Sequence, residues 1–235
     1  MTDTVLLALV LATFAGLSIP LGASLALWRV DFLPDWAEND WRHGIMAFGA
    51  GALLAAVALV LIPEGTARLG AVPALSWFVL GAVFFAVLDV WMARRGGQMA
   101  QFLAMMMDYL PEALALGAVI SGDVPTAVLV AALICLQNLP EGFNAMREMK
   151  GPVGHPPLWL FAAMVPLGPF AAWVGLNLPD TFDPAVGAVM MIAAGGILYL
   201  MFEDIAPQVP TENSMLPPLG AVLGFALGLA GHMAT

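Results

Sequence analysis

Long apolar stretches, broken only by short polar or proline-marked connections, run almost from end to end of the chain. Charges and prolines cut this pattern into eight apolar stretches, at about 4–28, 43–63, 71–92, 98–121, 124–146, 157–178, 184–206 and 215–233. Each is close to the roughly 20 residues a helix needs to cross a bilayer, and each is too long for a barrel strand. The pattern predicts an all-α polytopic membrane protein of eight transmembrane helices, a single domain over 1–235. The longest polar connections, about 29–42 and 147–156, leave no room for a separate soluble domain. The first stretch carries no basic leader and is expected to be a retained span.

Composition agrees with this pattern. Apolar residues make up 61% of the 235 positions and charged residues 10%, where a soluble domain carries roughly a quarter charged residues. The formal charge of −10 is not the mark of an acidic surface, because several of the acids fall inside spans. The composition gives no basic surface and no reason to expect a nucleic-acid partner. The seven basic residues divide unevenly: Arg29, Arg42, Arg94, Arg95, Arg147 and Lys150 flank odd-numbered connections, and Arg68 alone flanks an even one. Positive residues favour the cytoplasmic side, so both termini are expected outside, in a cell inner (plasma) membrane. The single cysteine, Cys135, excludes an internal disulfide and a cysteine-cluster metal site.

Within the spans the chemistry gathers in a doubled stretch. Asp108-Tyr109-Leu110-Pro111-Glu112 lies in the fourth span, and Gln137-Asn138-Leu139-Pro140-Glu141-Gly142 in the fifth. Residues four apart share a helix face, which pairs Asp108 with Glu112 and Gln137 with Glu141. Successive spans run antiparallel, so the duplicate reads as an inverted repeat, a plan common in secondary transporters. Each proline removes a donor and disturbs the carbonyl four residues before it, Met107 or Leu136, so both helices are expected to open there. No span interior holds a Lys or Arg to neutralise Asp108, Glu112 and Glu141. Unpartnered carboxylates at membrane depth take a proton or a cation.

Other candidates carry less. Glu203 and Asp204 sit before Pro207 in the seventh span, and Asp89 near the end of the third; Asp89 and Asp204 can instead reach the interface. Glu64 is expected at the outer headgroup level. Met105, Met106 and Met107 read as packing, and Cys135 as a small buried apolar side chain. His43 and His155 fall in cytosolic connections and His232 near the C-terminus. The stripe Gly220, Gly224, Gly228 in the eighth span is a helix-contact face, toward another span or a second copy.

At the doubled motif the chain resembles the ZIP (Zrt/Irt-like) family of divalent metal transporters. Members carry His-Asn-x-Pro-Glu-Gly in spans four and five. Gln137 to Gly142 matches it with Gln for His; Asp108 to Ala113 keeps Pro and Glu, with Asp for His, Tyr for Asn and Ala for Gly. Gly195-Gly196-Ile197-Leu198-Tyr199 through Glu203-Asp204-Ile205-Ala206-Pro207 is similar to the family's seventh span, and Gly51 through Glu64 to its second. The resemblance covers nearly the whole chain. It implies a homodimer, not an enzyme, that carries divalent metal ions toward the cytosol by elevator-like alternating access. By position it implies one centre from Asp108, Glu112, Gln137 and Glu141. A second would use Asn138, Glu141 and Glu112 with Glu203 or Asp204, and Tyr109 replaces an amide ligand there. The family's His-rich loop between spans three and four is absent.

The departures have chemical content. Imidazole suits Zn²⁺, whereas carboxylate and amide oxygens suit harder ions such as Mn²⁺, Mg²⁺ or Ca²⁺. The oxygen-only donor set is expected to broaden selectivity toward Mn²⁺ or Fe²⁺. Zn²⁺ stays the favoured substrate ion, because Asp and Glu also bind it. Two other functions compete: a ZIP-like sensor or partner protein that no longer transports, and a membrane-embedded metal-dependent hydrolase. The second is disfavoured by the lack of histidines in the span cores.

Overall fold

The structure, a computed structural model, describes residues 2–27, 35–95, 98–149, 158–208 and 214–234. Arg29, Lys150 and His155, and the side chains of Arg94, Arg95 and Asp204, lie outside the described residues. Among the described residues there is no strand. The helices are α1 (Thr2–Leu27), α2 (Asp35–Ala56), α3 (Ile62–Leu69), α4 (Ala71–Arg95), α5 (Gln98–Val119) and α6 (Val124–Glu148). They continue with α7 (Leu158–Ala162), α8 (Leu167–Asn177), α9 (Asp183–Leu200), α10 (Ala206–Gln208) and α11 (Leu216–Ala234).

Seven described helical segments are long and apolar enough to cross a membrane. Helix α5, with 22 residues, would span about 33 Å at 1.5 Å per residue, also enough. The direction of the packed helices supports counting it. Gly44 of α2 meets Leu216 of α11, Gly220 meets the Gly44 carbonyl, and Gly224 meets that of Phe48. Numbers rise together along both helices, so α2 and α11 run the same way. Alternating crossings between them must then be odd in number, as α4, α5, α6, α7–α8 and α9 are.

Prolines act differently from the sequence expectation. Helices α5 and α6 run unbroken through Pro111 and Pro140, so neither opens at its motif. The span expected to end at Pro63 continues to Leu69. A π turn, Val57–Leu61, precedes α3 and lets the helix pass the proline. The same device, Met201–Ile205, precedes Pro207 in α10. One extra residue per turn relieves the clash between a proline ring and the carbonyl four residues back. The span expected as one piece over 157–178 is instead broken: residues 163–166 form a turn, with Met164 N–H bonded to Phe161 O and Val165 N–H to Ala162 O. Pro166 explains the break, since a proline disfavours helical geometry in the residue before it.

Glycines set the helix pairing. A Cβ on Gly22 of α1 would lie 1.9 Å from the Leu139 carbonyl of α6, and one on Gly142 of α6 would lie 2.2 Å from that of Ile19. Gly81 of α4 and Gly195 of α9 make the same reciprocal approach, as do Gly117 of α5 and Gly175 of α8. In lipid, where no apolar drive joins helices, this close approach is what packing depends on. The stripe Gly220, Gly224, Gly228 is used against α2 of the same chain, so it is not a surface for a second copy.

The helices fall into two groups. Helices α1, α5, α6 and α7–α8 pack mainly with one another; α2–α3, α4, α9 and α11 form the other set. The groups meet along α2 against α6 and α5 against α9. Large apolar side chains face outward on α1, α4 and α11, among them Phe14, Leu80, Phe84 and Leu223, as lipid-facing helices require.

Candidate functional site

The doubled motif folds into one place, where α5 and α6 lie side by side. Asp108, Glu112, Gln137 and Asn138 are all buried, at 8%, 1%, 0% and 1% exposure, and Glu141 is half-buried. The four-residue spacing puts Asp108 and Glu112 on one face of α5, toward α6. Gln137 Nε2 donates to Glu112 Oε2. The other Glu112 oxygen, Oε1, and the Gln137 amide oxygen are buried with no hydrogen-bond partner among the described residues. Asp108 stands close enough to both Glu112 and Glu141 for their charges to interact, as Glu112 and Glu141 do with each other. No Lys or Arg occurs between Arg95 and Arg147 in sequence.

This is an unusual set of groups for a helix–helix contact. A buried unsatisfied carboxylate oxygen costs free energy, and neighbouring like charges raise that cost. A cation or proton between them offsets both. The carboxylates do not form a ready cage, however: among the described residues no three His, Cys, Asp or Glu side chains converge closely enough to hold a metal ion. An ion here would need the Gln137 amide oxygen as well.

Asn138 turns toward α1, where its Nδ2 donates to Ala15 O at 3.3 Å. Tyr109, wholly buried, also reaches α1 and donates its hydroxyl to Ala12 O at 3.2 Å. The structure does not bring Glu203 into this cluster. It is exposed on the π turn after α9 and lines a surface hollow with Phe78, Tyr199 and Phe202; the side chain of its neighbour Asp204 is not described. Asp89 is half-buried and accepts from the Tyr199 hydroxyl at 3.3 Å. His43 is inside α2 and buried, not in a connection, because that helix begins earlier, at Asp35. Glu64 is held by Arg68, which also bonds Asp183 at 2.9 Å. That ties α3 to the start of α9 and leaves Glu64 a structural group.

Sequence reasoning missed the part played by α1. Its backbone carbonyls at Ala12 and Ala15 hold two of the motif side chains, and its only sequence signal is Gly16 facing the phenol. Pro20, later in α1, removes the donor that the Gly16 carbonyl would otherwise have.

Compared with models of known protein families and with curated proteins, the chain matches none.

Proposed function

We propose that this chain is a multi-pass transporter that carries a divalent metal ion across its membrane through the cluster of Asp108, Glu112, Gln137 and Glu141. The observation that carries the reading is the state of Glu112 and Gln137: bonded to each other, fully buried, and each with one oxygen left without a partner among the described residues. Such oxygens, grouped with two more carboxylates, suit a cation as passing ligand. Alternating access supplies the route, and the division of the helices into two groups, with the cluster in the first, fits an elevator-like motion. The resemblance to the ZIP family adds direction, toward the cytosol with both termini outside, and a homodimer as the working unit. Zn²⁺ is the favoured substrate, and the oxygen-only donors extend the range to Mn²⁺ or Fe²⁺.

One observation favours a second reading, a protein of the same build that binds or senses without transporting: among the described residues no three His, Cys, Asp or Glu groups converge at metal-holding distance. Purified protein in liposomes loaded with a metal-sensitive dye separates the two. Transport predicts uptake of Zn²⁺ or Mn²⁺ that is lost in Glu112→Ala and Glu141→Ala, with both variants still folded in detergent. Absence of uptake for every divalent ion tried, or full uptake in either variant, sinks the transporter reading.

A further inference from the structure

Where the two helix groups meet along α5 and α9, the packing leaves a groove. Helices α4 and α5 both pack on α9 but hardly touch one another. Between them lies a cavity of about 290 Å³, walled by Phe84 and Phe85 of α4 and by Met106 and Leu110 of α5, with Val189 and Ile192 of α9 as its floor. Every side chain that lines it is apolar. Phe84 is 54% exposed, and its neighbours on α4, Leu80, Val83 and Val87, face outward as well. The groove is therefore continuous with the broad apolar surface of that helix.

Depth and size decide what fills it. Phe84 lies near the middle of α4 (Ala71–Arg95), Leu110 near the middle of α5 (Gln98–Val119) and Ile192 near the middle of α9 (Asp183–Leu200). In a helix that crosses a bilayer, the middle stands in hydrocarbon, away from the headgroups. Water does not settle where it has no polar partner; an apolar cavity of roughly 150 Å³ stays dry and takes up hydrocarbon such as benzene instead. One turn of a helix, about 10 Å across and 5.4 Å high, occupies roughly 400 Å³, so a helix of a second copy is too thick to seat in the groove. A flexible hydrocarbon chain is not. Met106, unbranched and adaptable, suits a wall that must follow such a chain.

We propose that this groove is a binding site for a lipid acyl chain, which enters it from the surrounding bilayer by its methyl-terminal half. The site reads no headgroup, because nothing polar lines it; it selects a position along the chain. A fluid chain there fills the seam between the two helix groups without joining them. The inference needs only a bilayer around the helices and does not depend on the transport reading.

Photolabelling tests it. The full-length protein, in phosphatidylcholine vesicles, is photolysed with phosphatidylcholine that carries a diazirine either near the methyl end of one acyl chain or beside its ester. Labelled residues are mapped by mass spectrometry, with Leu223, exposed on α11, as the mark of ordinary lipid contact. The methyl-end probe should label Leu223 and the groove floor at Val189 or Ile192, and the ester probe should leave the floor unlabelled. Ile192→Trp and Leu110→Trp each fill the groove, and should lose the floor label while keeping that at Leu223. No floor label from the methyl-end probe, equal floor label from both probes, or a floor label that survives in a folded filled variant overturns the proposal. The wild-type comparison decides it even if neither variant folds. Ile192→Cys in a Cys135→Ser background identifies any other occupant. Oxidation to a disulfide-linked dimer would put a second copy in the groove, and modification by a membrane-impermeant thiol reagent would put water there; either result also overturns the proposal, and resistance to both supports it.

Discussion

Glu112 is held by one neutral donor in a place where a carboxylate would ordinarily have an ion pair, and substitutions there separate its cost from its use. Glu112→Gln removes a buried charge while keeping shape, and taking charge out of an apolar interior is often neutral or stabilising. The expected outcome is a melting temperature in detergent equal to or above that of the wild type, with transport abolished. A loss of both would show that the carboxylate is structural. Gln137→Leu removes the Nε2 donor to Glu112 and a candidate ligand oxygen together. Groups that orient a ligand typically matter by about 10- to 100-fold, so uptake should fall by at least about tenfold. Asp123 illustrates a residue with a plainer role: it caps α6, accepting from the Thr126 N–H at 3.0 Å and from its hydroxyl at 2.6 Å. Those two bonds hold its carboxyl below the usual range. A depressed value stabilises the fold above the unfolded value, near 3.9, and the benefit is lost as pH falls through the lower folded value. Asp123→Asn should therefore lower the melting temperature slightly at pH 7, and the difference should shrink as pH falls below the unfolded value. At this scale the acids and amides of the cluster were legible in the sequence, because charge inside an apolar run is conspicuous. The slot around Tyr109 was not, since it depends on Ala12, Gly16 and Gly168 meeting from two other helices.

At the scale of the helix, glycines decide packing and prolines decide shape. Gly22 and Gly142 approach the carbonyls of the opposite helix closely enough that a methyl group has no room. Overpacking of this kind costs about 1–3 kcal/mol, so Gly22→Ala and Gly142→Ala should each lower thermal stability clearly. Gly122 lies in the turn before α6 with its nearest neighbour 3.9 Å away, and Gly122→Ala should be silent. Equal effects at all three positions, read by a thermal melt in detergent, would remove the packing argument. That seven or eight apolar helical segments of spanning length would form followed from hydropathy alone, since a bilayer sets the length a crossing needs; the ends of the second span, which runs from Asp35 to Leu69, did not. Where helices would break did not follow, because the same residue has three outcomes here: continuation at Pro111 and Pro140, a π turn before Pro63 and Pro207, and a turn at Pro166. The neighbours packed around each proline choose among them, and they are remote in sequence.

For the whole molecule the question is whether the two helix groups move as bodies, and cross-links placed within and between them answer it. A Cβ on Gly44 of α2 would lie 3.6 Å from the Leu216 Cβ of α11, inside the roughly 3.5–4.5 Å that a disulfide requires. Both helices belong to the same group, so Gly44→Cys with Leu216→Cys, in a Cys135→Ser background, should oxidise readily and leave transport near the wild-type rate. Leu110 of α5 and Ile192 of α9 belong to different groups and line one apolar cavity of about 290 Å³, with Phe85, Met107 and Pro111. The cavity lies where the two groups meet, immediately beside the motif that bears Glu112. If α5 must slide past α9 to carry the cluster from one side of the membrane to the other, that cavity is a place where the surfaces part. Leu110→Cys with Ile192→Cys, joined by a short bifunctional thiol reagent, should then stop transport, while either single variant treated with the same reagent continues. Linking the pair with progressively longer reagents should restore uptake once the tether exceeds the displacement, which turns the inhibition into a measure of the motion. Continued uptake under the shortest tether that links the pair would mean that the two groups stay fixed along α5 and α9, and the route to the cluster would have to open along α2 and α6 instead.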